Sequence, residues 1–197
     1  MKRILIYSLV ILITTISCDQ NATPLPRGYF RIDMPEHNYM LSDTTFPYFF
    51  EYPVYTQLRE QIKRPGQQYW LNVEYPQFNS TIFLSYKPVE GNLIKYLEDS
   101  YTLVSKHIPK AEDILDSVIV DRDRNIYGLV YKIQGSGAAS PYQFFLTDSA
   151  SHFVRGALYF NMKPNNDSLE PVIDFITKDI EHMLNTMEWN DGYDYSQ

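Results

Sequence analysis

The 197-residue chain carries 24 acidic against 17 basic side chains, a formal charge of −7. A body of that sign repels phosphate backbones, which excludes a nucleic-acid partner. With 44% apolar residues it can bury one core, its single cysteine leaves no internal disulfide, and its 17 tyrosines favour packed sheet faces over a helical bundle.

The N-terminus follows the plan of a secretory signal peptide. Lys2 and Arg3 open it, an apolar run extends from Ile4 to Ile16, and Ser17 precedes Cys18. The run is too short for a comfortable transmembrane span. Residues 1–17 are expected to be removed. Cys18, the sole cysteine, stands where a lipoprotein signal peptidase would cut, so it is expected to carry the lipid. Thr15 occupies a position usually held by Leu, Val or Ile, so the match to that cleavage site is loose. Three acyl chains, each buried CH₂ contributing about 0.8 kcal/mol, make such an anchor effectively permanent. Losing Lys2 and Arg3 takes the charge to about −9.

Residues 18–28, polar with Pro24 and Pro26, read as a tether. A single globular domain is expected over 29–190. Within it, Tyr48 to Tyr52 reads as an aromatic strand ended by Pro53. Trp70 to Tyr75 alternates, with Leu71, Val73 and Tyr75 on one face. Thr81 to Tyr86 places Ile82, Leu84 and Tyr86 together. Asn92 can cap a helix through about Lys106, with Leu93, Tyr96, Leu97, Tyr101 and Val104 along one stripe. A short helical piece is allowed at Lys110 to Leu115. Val118 to Val120, the turn Asp121 to Asn125 and the strand Ile126 to Ile133 form a hairpin, and strands at Tyr142 to Thr147 and Phe153 to Met162 follow.

The last helix is the clearest. Asp167 reads as its N-cap, Glu170 stands at capping-box spacing, and Pro171 falls in the first turn. Leu169, Val172, Ile173, Ile176, Ile180, Met183, Leu184 and Met187 then recur at intervals of three and four, with Asp174, Lys178 and Glu181 outward. The polar segment 191–197 reads as a frayed tail. The fold class is α+β: an antiparallel sheet, apolar on both faces in several strands, flanked by helices.

The chemistry is sparse. His37, His107, His152 and His182 show no ligand-pair spacing, and no metal or cofactor is expected. Gly135 to Ser140 is glycine-rich but lacks the Lys-Ser/Thr of a phosphate loop, and a strand follows it, so it reads as a hairpin loop. Asp148, Ser149, His152 and Arg155 could be drawn as a catalytic cluster around one turn. His152 and Arg155 are an odd number apart, however, and on a regular strand they face opposite sides. Asp121 to Arg124 reads as a solvated turn.

Several stretches carry a family resemblance: Arg27-Gly28-Tyr29-Phe30-Arg31-Ile32-Asp33, Phe50-Glu51-Tyr52-Pro53, Phe144-Phe145-Leu146-Thr147-Asp148-Ser149, His152 through Phe160, and Pro164-Asn165-Asn166-Asp167-Ser168-Leu169. Together they resemble the gliding-motility lipoprotein GldD family of Bacteroidota, from the leader to Trp189. Some relatives carry cysteines near Phe46 and Tyr69; this chain does not, so the resemblance implies no disulfide. It implies a non-enzymatic lipoprotein of the cell envelope, anchored in a membrane, expected at the outer membrane facing the periplasm, with partners in the gliding-motility or type IX secretion machinery. At fold level the pattern also looks similar to the Mog1/PsbP-like architecture.

The partner-contact candidates are Arg27, Tyr29, Phe30, Trp70, His152 and Arg155. Two other readings stay open: an envelope hydrolase using residues 148–155, and a lipid or small-ligand carrier with an apolar cavity between sheet and helix.

Overall fold

The computed structural model describes residues 32–61, 69–190 and 192. The expected signal segment 1–17, Cys18, the expected tether with Arg27, the pair Tyr29 and Phe30, and all of the polar tail except Gly192 lie outside the described residues. The chain divides into two units, Met1–Ile32 and Asp33–Gln197, and the described elements belong to the second.

The framework is a seven-stranded antiparallel sheet. Its strands are β4 (Gln57–Glu60), β5 (Leu71–Tyr75), β6 (Ser80–Pro88), β7 (Asp113–Asp121), β8 (Ile126–Gln134), β9 (Tyr142–Thr147) and β10 (His152–Phe160), in the order β4-β5-β6-β10-β9-β8-β7. Two small ribbons complete it: β1 (Tyr39–Leu41) with β3 (Glu51–Pro53), and β2 (Tyr48–Phe49) with β11 (Glu188–Trp189). The helices are α1 (Leu93–Ser105) and α2 (Asn166–Thr186).

Register sorts the side chains onto two faces. Leu71, Val73 and Tyr75 line up with Ile82, Leu84 and Tyr86, then with Val154 and Leu158, then with Tyr142, Phe144 and Leu146, then with Ile126 and Val130. All are buried. Helix α2 covers this face with Val172, Phe175, Ile176, Ile180, Met183 and Leu184. Each such side chain, fully buried, contributes about 1.5–3 kcal/mol. The other face carries Phe83, Lys87, Phe153, Arg155, Phe145 and Ile133. Helix α1 lies over part of it: Tyr96 meets Phe153 with ring centroids 5.4 Å apart, and Val104 packs with Ile133 and Ala138. The expected α+β sheet thus has one helix per face.

Several local expectations are corrected. The aromatic strand at 48–52 is two strands, because Phe50 leaves the β11 ribbon and exchanges hydrogen bonds with Ser42 before β3 joins β1. Lys110 to Leu115 is not helical: a 3-10 turn ends at Lys110 and β7 begins at Asp113. Tyr101 points out of the α1 stripe and Ser100 takes the buried place. Helix α2 starts at Asn166 with Asn165 as its cap residue, so Asp167 lies in the first turn rather than capping it, and Pro171 sits further inside. The reason is non-local. The Asn166 amide donates to the carbonyls of Gly135 and Ala138, both at 2.9 Å, which fastens the glycine-rich loop to the helix start.

The turn at 121–125 is more than solvated. Arg124 pairs with Asp121 at 2.8 Å and donates to the carbonyls of Asn185 and Met187 at 2.6 and 3.0 Å. It therefore caps the C-terminal end of α2, where unsatisfied carbonyls and the helix dipole favour a cation. Phe46 and Tyr69 lie side by side, their rings 5.8 Å apart.

Candidate functional site

The cluster at 148–155 resolves into a turn and two separate faces. The Asp148 carboxylate accepts the backbone N–H groups of Ala150, Ser151 and His152 at 3.0, 2.9 and 2.8 Å. Thr147 Oγ1 donates to the His152 carbonyl at 2.6 Å and accepts from the Ser149 N–H at 3.0 Å. Ser149 adopts φ +68, a left-handed turn position. These side chains close the β9–β10 hairpin. His152 is buried on the α2 face, stacked on Trp189 at 5.1 Å and 2.9 Å from the Tyr86 hydroxyl. Arg155 faces the other way, donating to Gln143 Oε1. A cleft of about 530 Å³ at the hairpin mouth is lined by Asp123, Arg124, Asn125, Asp148, Ala150, Glu188 and Trp189; Ser149, His152 and Arg155 do not line it.

Trp70 and Arg155, two of the residues expected from sequence, share one groove. Both line a groove of about 410 Å³ on the α1 face, floored by β6 and β10 and walled by α1. Phe83, Phe153, Tyr96 and Leu103 supply its apolar walls, with Lys87, Asp99 and Gln61 as further polar groups. The Trp70 indole donates to the Tyr86 carbonyl at 3.0 Å, so the ring is fixed. Lys87 Nζ lies over the Tyr96 ring, 4.6 Å from its centre. Burial pushes the Arg155 guanidinium down from its usual range, and the Tyr159 hydroxyl counteracts this. Burial, then Arg155 and Lys110, also lower His107.

The densest polar cluster escaped the sequence reading. Asp179 of α2 is 1% exposed. It accepts hydrogen bonds from the hydroxyls of Tyr39 at 3.0 Å, Tyr55 at 2.7 Å and Tyr75 at 3.2 Å, and His37 Nδ1 lies at 2.7 Å. The His37 ring stacks on Phe175, and Tyr39 stacks on His182, which in turn pairs with Glu51 at 2.6 Å. One carboxylate thus ties the segment 37–55, strand β5 and helix α2 together. The available signal was an acidic residue on the apolar stripe of α2, three residues after Ile176 and four before Met183.

Burial first, and Asp179 second, raise the tyrosines of this cluster. Burial alone raises Tyr48, and it is the main cause for Tyr142. In an unfolded chain these phenols ionise near pH about 10, whereas the folded chain keeps their protons. Their contribution is therefore full below about pH 10 and is lost as pH rises further. The denaturation midpoint is expected to fall as pH rises from about 10 to about 12. Phenolate absorbance from the buried tyrosines should appear together with unfolding; absorbance appearing in the folded state at the ordinary tyrosine value would contradict it.

No curated protein matches the chain. Among solved structures, cyanobacterial PsbP (CyanoP) from Synechocystis sp. PCC 6803 is similar to it at 10% identity and a TM-score of 0.43, over 82% of this chain and 98% of that one. The family model for the gliding motility lipoprotein GldD matches residues 19–189, and the chain belongs to that family.

Proposed function

We propose that this gliding motility lipoprotein acts as a non-enzymatic interaction subunit of the motility and type IX secretion machinery. In this reading it is lipidated at Cys18, cleaved after residue 17, tethered through 18–28 and held at the outer membrane facing the periplasm, with 29–190 as its working domain. The observation that carries the non-enzymatic part is the fate of the 148–155 cluster. The Asp148 carboxylate is engaged by three backbone N–H groups, and His152 and Arg155 project from opposite faces of one strand. A nucleophile, a base and an orienting acid need mutual hydrogen-bond reach, and among the described residues no side-chain to side-chain hydrogen bond joins Asp148, Ser149 and His152.

An interaction role is supported by the surface of the sheet's outer strand. Edge strand β7 leaves Val118 70% and Val120 58% exposed on the α1 face. Exposed apolar residues on a nine-residue edge are features that protein partners use.

Replacement of the chromosomal copy in a gliding host tests both parts. A Cys18→Ser variant is expected to leave the membrane fraction and to lose colony spreading, while Ser149→Ala spreads like wild type. Membrane retention of Cys18→Ser would remove the anchor. Loss of spreading by a folded Ser149→Ala protein would restore the enzyme reading.

A further inference from the structure

Beyond the family's role, the groove on the α1 face has the chemistry of a ligand site. Lys87 lies opposite Phe153, and Arg155 opposite Ser85, in the β6–β10 register. The two cations are thus diagonal neighbours, about 7–8 Å apart at the backbone, and both line the groove. Asp99 is the one acidic side chain among the groove's lining residues. The groove is therefore net positive on a chain whose overall charge is −7.

Arg155 is held on a rigid inner strand by buried Gln143, and no carboxylate among the described residues forms an ion pair with it. A guanidinium carries five N–H donors in a fixed fork, so Gln143 and Tyr159 leave donors over for an anion. Partial burial of a cation with no carboxylate partner among the described residues is unfavourable, and an incoming carboxylate offsets it. Trp70, Phe83, Tyr96, Leu103 and Phe153 give the remaining surface an apolar, largely aromatic character.

We infer that this groove binds a small amphipathic carboxylate, its acid group between Lys87 and Arg155 and its aryl or short alkyl body against Trp70, Phe83 and Leu103. A volume of about 410 Å³ lies in the range of small-molecule sites. A free molecule is favoured over an extended peptide by the floor itself. Strands β6 and β10 are both interior, paired on each side, so their backbone groups are engaged and offer no ladder to an added strand.

The test uses the full chain in nanodiscs of zwitterionic phospholipid, with empty nanodiscs as the reference. The probes are 4-(4-fluorophenyl)butyrate and the matching alcohol, followed by ¹⁹F line broadening. Saturable binding of the acid is expected, at least about tenfold tighter than the alcohol, because the charge-assisted contact is absent from the alcohol. Arg155→Met should weaken the acid about tenfold and Lys87→Met about threefold. The second variant keeps the test decisive if the first perturbs folding through Gln143. Four outcomes overturn the proposal: no saturable binding, equal affinity for acid and alcohol, unchanged affinity in a folded Lys87→Met protein, or a peptide ending in a free Phe carboxylate binding more than about tenfold tighter than the acid.

Discussion

Asp179→Ala is expected to destabilise the protein by about 3–4 kcal/mol, which for a domain of this size lowers the melting temperature by about 6–16 °C. The argument is one of donors left without an acceptor. Three tyrosine hydroxyls and one imidazole converge on a carboxylate that is 1% exposed. Removing the carboxylate strands the Tyr75 hydroxyl in the core and returns those of Tyr39 and Tyr55 to competition with water. A buried polar group without a partner costs about 1–3 kcal/mol, and here more than one is affected. Asp179→Asn preserves shape but turns one acceptor oxygen into a donor facing phenol donors, so it should recover less than half of the loss. Tyr75→Phe removes only the longest of these bonds, at 3.2 Å, and should cost about 1 kcal/mol. Thermal melts of the three variants rank them. Equal melting of Asp179→Ala and wild type would show that the cluster carries no stability.

The same residue shows where the sequence stopped being legible. Alternation found β5 and β6, where Leu71, Val73 and Tyr75, and Ile82, Leu84 and Tyr86, recur at every second position, whereas β9 and β10 are runs buried on both faces. It found α2 from its apolar stripe. What it could not find were bonds between distant segments. Asp179 binds residues 104 to 142 positions away, and nothing local marks such a partner. Asn166, the first residue of α2, is fastened to the carbonyls of Gly135 and Ala138, so the helix begins before Asp167, which is why the capping-box spacing at Asp167 misled. Arg124 in a charged turn reaches the end of α2. For the site, alternation correctly set His152 and Arg155 on opposite faces, but only the strand order could place Arg155 in one groove with Trp70 and Lys87.

Gly156→Ala should be nearly as damaging, for a steric reason. Gly156 lies opposite Phe144 across the β9–β10 pair, on the face covered by α2. A Cβ built there would meet the Phe144 ring at 2.1, 2.3 and 2.7 Å. The ring is 2% exposed, so it cannot swing into open space. Adding the methyl must displace either the ring or the strand, and overpacking of this kind costs about 1–3 kcal/mol; the three short contacts place it at the upper end. Because the obstacle is a side chain, shortening it should help: Gly156→Ala combined with Phe144→Leu is expected to cost less than the sum of the two single changes. Gly128→Ala provides the contrast. There the added Cβ meets the Phe145 carbonyl oxygen at 2.1 Å, which is main chain. No substitution at Phe145 relieves that contact, so Gly128→Ala with Phe145→Leu should be additive. Urea midpoints of the two double-mutant cycles decide it: coupling at Gly156 with none at Gly128 supports ring-over-glycine packing, and strict additivity in both cycles would refute it.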